Sequence, residues 1–124
     1  MKKNNCNLLK IFIIDDEADI LEIFSEHLTD LGHEVITARS YKEALMMASE
    51  HRFDIILCDS KLGDDSRGPA GDLVVKEIKE QFEFNGPCYL MSGNGIPTEA
   101  ADHITGHFEK PFDLDELVSA LLRS

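Results

Sequence analysis

Four polar segments of this chain each stand directly behind a short apolar run. Asp15-Asp16-Glu17 follows Lys10-Ile11-Phe12-Ile13-Ile14, and Asp59 follows Ile55-Ile56-Leu57-Cys58. Ser92-Gly93 follows Cys88-Tyr89-Leu90-Met91, and Lys110-Pro111 follows the stretch from Gly106 to Glu109. Carboxylates crowded together repel one another unless a cation joins them. Hard oxygen donors suit Mg²⁺, which keeps several waters and commonly shares a site with phosphate. A carboxylate can also act as a nucleophile toward phosphorus, giving an aspartyl phosphate. The cation, an ammonium and a hydroxyl then neutralise and orient the equatorial oxygens.

Each residue alone has an ordinary explanation. Asp15, Asp16 and Glu17 precede a helix, where the dipole favours acids. Asp59 suits a turn, Ser92-Gly93 is a common turn pair, and Lys110 suits a solvated surface. Their joint occurrence behind successive strands is what points to a site.

The apolar runs fit strands buried on both faces. Val35-Ile36-Thr37 is one more candidate, and the run at Gly106 to Glu109 is weak by itself. Helices fill the gaps. Ile20, Phe24, Leu28 and Leu31 recur at helical spacing, with Gly32 where a C-terminal cap belongs. Ser40-Tyr41-Lys42-Glu43 reads as a capping box, with Tyr41, Ala44, Leu45 and Ala48 inward. A third helix runs from about Asp72 to Phe82 with Val74, Val75 and Ile78 apolar, and a short fourth starts near Thr98. The last has Asp113 as N-cap, Glu116 three residues on, and Leu114, Leu117, Val118, Leu121 and Leu122 on one face. Strands alternating with helices imply a doubly wound α/β fold: a parallel sheet, right-handed crossovers and helices on both faces. Sites in such sheets form beyond the carboxyl ends of the strands, which is where the four polar segments stand.

At 124 residues the chain has room for one domain, taken as 8–124 behind a loose tail at 1–7. Hydrophobic residues are 43% of the chain, enough for one compact core. The 24 acidic and 12 basic residues leave a formal net charge of −12, which argues against nucleic acid and anionic membranes as partners. Cys6, Cys58 and Cys88 form no Cys-x-x-Cys pair, so neither a disulfide framework nor a zinc site is expected. No apolar run approaches a membrane span, and Lys10 and Asp15 interrupt the only stretch resembling a signal peptide. A cytoplasmic location is expected.

The set Asp15-Asp16, Asp59, Ser92 and Lys110-Pro111-Phe112 resembles the receiver domain of bacterial response regulators, over roughly Lys10 to Leu122. The resemblance implies a flavodoxin-like (βα)5 sandwich with a five-stranded sheet in the order 2-1-3-4-5, an order that receiver domains illustrate. It implies that Asp59 is the phosphoacceptor. Asp16 and Asp59 would bind Mg²⁺ directly with the Lys61 backbone carbonyl, and Asp15 would act through a metal-bound water. Ser92 would hydrogen-bond the phosphoryl group and Lys110 would pair with it. The donor would be a phosphohistidine on a sensor histidine kinase or a histidine phosphotransfer protein. Movement of Ser92 would couple to an aromatic side chain on the fifth strand and reshape the surface of helix four, strand five and helix five.

Three features set this chain apart within the family's pattern. The switch aromatic lies three residues before the lysine, and that position is His107. Phe108 is one place late and should face the other side of the strand. His107 is either a surface residue or a replacement that adds pH sensitivity. The loop after Asp59, with its Gly63–Gly71 stretch, is longer than the usual turn and reads as a tolerated insertion. Lys61 and Asn94 occupy the places that, in the family resembled, tune phosphoryl lifetime.

The expected function is a stand-alone receiver switch, not an enzyme acting on a separate substrate. A small Mg²⁺-dependent phosphatase would place a second acid two residues after its nucleophile, where this chain has Lys61. A receiver-like interaction module that is never phosphorylated would not need the acids, Ser92 and Lys110 together. Flavin binding would require a Ser/Thr-rich phosphate loop where Asp15-Asp16-Glu17 stands.

Overall fold

The computed structural model describes residues 9–59, 71–92, 104–109 and 119. The chain order is β1 (Lys10–Ile14), α1 (Ala18–Asp30), β2 (Glu34–Ala38), α2 (Tyr41–Glu50), β3 (Ile55–Asp59), α3 (Gly71–Phe82), β4 (Cys88–Ser92) and β5 (Gly106–Glu109). The five strands form one parallel sheet in the order β2-β1-β3-β4-β5. This is the flavodoxin-like arrangement expected. The helix near Thr98 lies outside the described residues. Of the last helix only Ser119 is described, and it is helical.

Alternation along the strands divides the core into two layers. Phe12, Ile14, Ile56, Cys58 and Leu90 face one way and pack with Ala44 and Ala48 of α2 and Val74, Val75 and Ile78 of α3. Ile11, Ile13, Leu57 and Met91 face the other way and meet Leu21, Phe24 and Leu28 of α1. Each fully buried side chain of this size contributes about 1.5–3 kcal/mol. The near-continuous apolar strands thus follow from a sheet covered on both faces.

Local signals set the helix ends. Gly32, at φ 99°, lets the chain leave α1 in the left-handed region. Its N–H donates to the Thr29 carbonyl at 2.9 Å, and the N–H of His33 donates to that of Leu28 at 3.0 Å. This Schellman pair places Leu31 at the cap, where it is 50% exposed, and not on the buried face expected of it. The buried face of α1 consists of Leu21, Phe24 and Leu28. At α2 the hydroxyl of Ser40 accepts the Glu43 N–H at 3.1 Å, and the Glu43 carboxylate accepts the Arg39 N–H at 2.6 Å. The expected box therefore forms, with its return bond one residue early. Among the described residues, no helix is long and apolar enough to cross a membrane.

Candidate functional site

The register of the two central strands assembles the acidic edge. Ile14 of β1 pairs with Cys58 of β3, so the next residues, Asp15 and Asp59, stand side by side at the strand ends. The Asp15 N–H donates to the Ala38 carbonyl at 3.0 Å, which extends β1's pairing with β2 by one residue. Asp15 is fully buried and Asp59 is 8% exposed. Oδ1 of Asp15 accepts the Glu17 N–H at 2.9 Å, a local turn that leads the chain into α1. Glu17 is the N-cap residue of that helix, and its carbonyl accepts the Leu21 N–H at 3.2 Å.

One carboxylate oxygen from each of Asp15, Glu17 and Asp59 lies within 4.8 Å of the other two. Two of the three residues are shielded from water, where like charges repel more strongly. A hard divalent cation relieves that repulsion, and an all-oxygen donor set fits Mg²⁺. Asp16 is half-buried and is not one of the three. Glu17, read in the sequence only as part of the acidic run, is the residue that completes the group.

The other expected residues fall as follows. Asp59 pairs with Met91 of β4, and Ser92, one residue further along, pairs with Glu109 at the end of β5. Position 92 is thus at the same edge as the carboxylates. Lys110 follows Glu109 directly, and it lies outside the described residues, as do Lys61 and Asn94. His107 sits in β5 at the register position of Leu90. Phe108 pairs with Met91, and its ring lies 5.3 Å from that of Tyr89, on the layer shared with α1. A groove of about 580 Å³ lies at the opposite end of the strands, bordered by His51, Arg52, Phe53, Asp54, Phe84 and Gly86, and holds none of these groups.

The chain matches the response regulator receiver domain over residues 11–122. It belongs to that family. The transcriptional regulatory protein CrdR of Helicobacter pylori is 30% identical over 122 residues, covering 92% of this chain and 54% of that protein. The transcriptional regulatory protein KdpE of Mycobacterium tuberculosis is 31% identical over 116 residues, covering 90% of this chain and 48% of that protein. The chain therefore spans about half the length of these curated relatives. Among solved structures, the chemotaxis response regulator CheY4 of Vibrio cholerae superposes with a TM-score of 0.76 at 29% identity, over 94% of this chain and 98% of that one. A CheY-like receiver domain from Methylobacillus flagellatus gives 0.79 at 27% identity, over 94% and 98%. This receiver domain thus belongs to the phosphorylation-based signalling of two-component systems. Its carboxylates stand at the carboxyl ends of the two central strands, the edge at which open α/β sheets bind ligands.

Proposed function

We propose that this receiver domain is a switch in which Asp59 takes a phosphoryl group from a phosphohistidine, with Mg²⁺ held at the acidic edge. The observation that carries the reading is the closeness of the Asp59 carboxylate to that of buried Asp15 at the ends of adjoining strands. An oxygen of ionised Asp59 attacks phosphorus while the phosphorus–nitrogen bond of the donor breaks. The electron pair leaves on the imidazole, which takes up a proton from solvent. Asp59, already ionised, has no proton to lose, so no general base is required. Hydrolysis of the acyl phosphate by water later restores the carboxylate.

Mg²⁺, when bound, supplies positive charge to the phosphoryl oxygens during transfer. Asp15, Asp16 and Asp59, with the Lys61 carbonyl, are the groups proposed to hold it. The Ser92 hydroxyl is proposed to donate a hydrogen bond to the phosphoryl group and Lys110 to neutralise it. Lys61 and Asn94 are proposed to set its lifetime, and Ser92 and His107 to relay its presence. The direct partners are proposed to be proteins: a histidine kinase or phosphotransfer protein upstream and a target of unassigned identity downstream. The −12 charge supports proteins over nucleic acid as partners of this unit, and the cysteine usage fits a cytoplasmic location. The names of the relatives describe proteins about twice as long, so DNA binding by those whole proteins is a separate matter.

Incubation with Mg²⁺ and acetyl phosphate, followed by intact mass measurement, tests the proposal. One added phosphoryl group is expected, lost in Asp59→Asn. Phosphate turnover without an adduct would instead favour a small phosphatase. No adduct even from a phosphohistidine donor would favour an interaction module that is never phosphorylated.

A further inference from the structure

We infer that Glu17 is an additional carboxylate donor to the cation that serves Asp59, an inference that rests on the cation-site reading above. Glu17 occupies the N-cap of α1. Ser, Thr, Asp and Asn serve best there, because their short side chains reach the first orphan N–H groups of the helix. The Glu17 side chain makes no such bond. Its carboxylate lies within 4.8 Å of those of Asp15 and Asp59 instead.

The cause is local. Asp15 Oδ1 accepts the Glu17 N–H at 2.9 Å, and this turn folds the chain back so that residue 17 returns over residue 15. The helix dipole accounts for an acid at the start of α1, but it does not account for a carboxylate gathered with two others at the strand ends. Asp15 and Asp59 are buried while Glu17 is exposed. Glu17 therefore closes the group on its solvent side, where a hydrated cation arrives. It adds negative charge to the site and an oxygen that engages the cation as a ligand or across one water. Mg²⁺ sites commonly keep several waters, so an outer donor of this kind fits.

Mn²⁺ binding to the unphosphorylated protein at 0.15 M salt, followed by the electron paramagnetic resonance of the free ion, tests the role without any phosphoryl transfer. Glu17→Gln is expected to weaken binding by about fivefold or more, from the loss of one close charge. Glu22→Gln removes the same charge further along α1, where salt screens it, and is expected to bind as wild type. Asp15→Asn and Asp59→Asn are expected to weaken binding as well. If these two weaken it while Glu17→Gln does not, or if Glu22→Gln matches Glu17→Gln, the role of Glu17 is overturned and the cation site stands. If none of the variants weakens binding, the cation-site reading falls with it.

Discussion

The N–H of Leu9 donates to Nδ1 of His33 at 3.0 Å, which holds the imidazole as the neutral tautomer with its proton on Nε2. The Glu34 N–H donates to the Leu9 carbonyl at 2.9 Å, so Leu9 is tied to the start of β2 through both of its backbone groups. His33 is buried, and burial lowers its pKa below the ordinary 6.5. The unfolded chain therefore takes up this proton more readily than the folded one. The contribution of His33 is fully present above pH 6.5 and is lost as pH falls through the lower folded value. Urea midpoints measured between pH 7.5 and pH 5 should fall for the wild type and fall less for His33→Leu. At pH 7.5 that variant should lose roughly 1–2 kcal/mol, because the Leu9 N–H loses its acceptor.

Crowded acids at the strand ends should make the cation-free protein less stable than its neutralised variant. Asp59→Asn removes one buried negative charge beside Asp15. In chelator the variant should gain about 1–2 kcal/mol over wild type, read from urea midpoints. Added Mg²⁺ should stabilise the wild type by mass action and the variant much less, so the gap narrows. An equal Mg²⁺ response in both proteins would separate the cation from Asp59.

Glu83 lies in the left-handed region at φ 56°. The Phe84 N–H donates to the Lys79 carbonyl at 3.2 Å, a glycine-type helix ending built on a glutamate. Glu83→Gly should raise stability by about 0.5–1 kcal/mol, the relief of strain exceeding the added freedom of the unfolded chain. Gly32→Ala, at φ 99°, should lower it by about 1–2 kcal/mol. Thermal midpoints moving in opposite directions would establish both points.

Cys58 and Cys88 are buried thiols outside any disulfide. Burial raises the Cys88 pKa to about 11 despite the opposing charge of Lys79. At pH 7.5 hardly any reactive thiolate exists there. Iodoacetamide should leave Cys88 and Cys58 unmodified in the folded protein and label both in urea, as read by peptide mass mapping. Labelling of either under native conditions would show that the strands open locally.

The strands were legible because covered parallel sheets leave a plain record: apolar runs such as Ile11–Ile14 and Ile55–Cys58, each closing on an acid or a hydroxyl. Helix faces were legible except where a cap intervened. Spacing alone put Leu31 inward, yet α1 ends one residue earlier because Gly32 draws the chain out of the helix. Asp15 and Asp59 were legible as neighbours once the strands were aligned. Glu17 was not, because its return toward Asp15 depends on a side-chain-to-backbone bond that periodicity does not encode. An Asp-x-Glu sequence at a strand-to-helix junction is the signal that would have shown it. The weak fifth strand became visible through pairing with β4, and Phe108 faces the α1 layer, as its place one after His107 required.

β1 and β3 are flanked by pairing strands on both sides and covered on both faces. The two aspartates thus stand at the ends of strands paired on both sides, whose amides should exchange with deuterium more slowly than those of the edge strands β2 and β5. A charge added at Asp59 cannot be accommodated by bending its own support, since close-packed interiors yield little. The central strands act as an anvil, and under the proposed switch a rearrangement that reports the event would be borne by segments outside them.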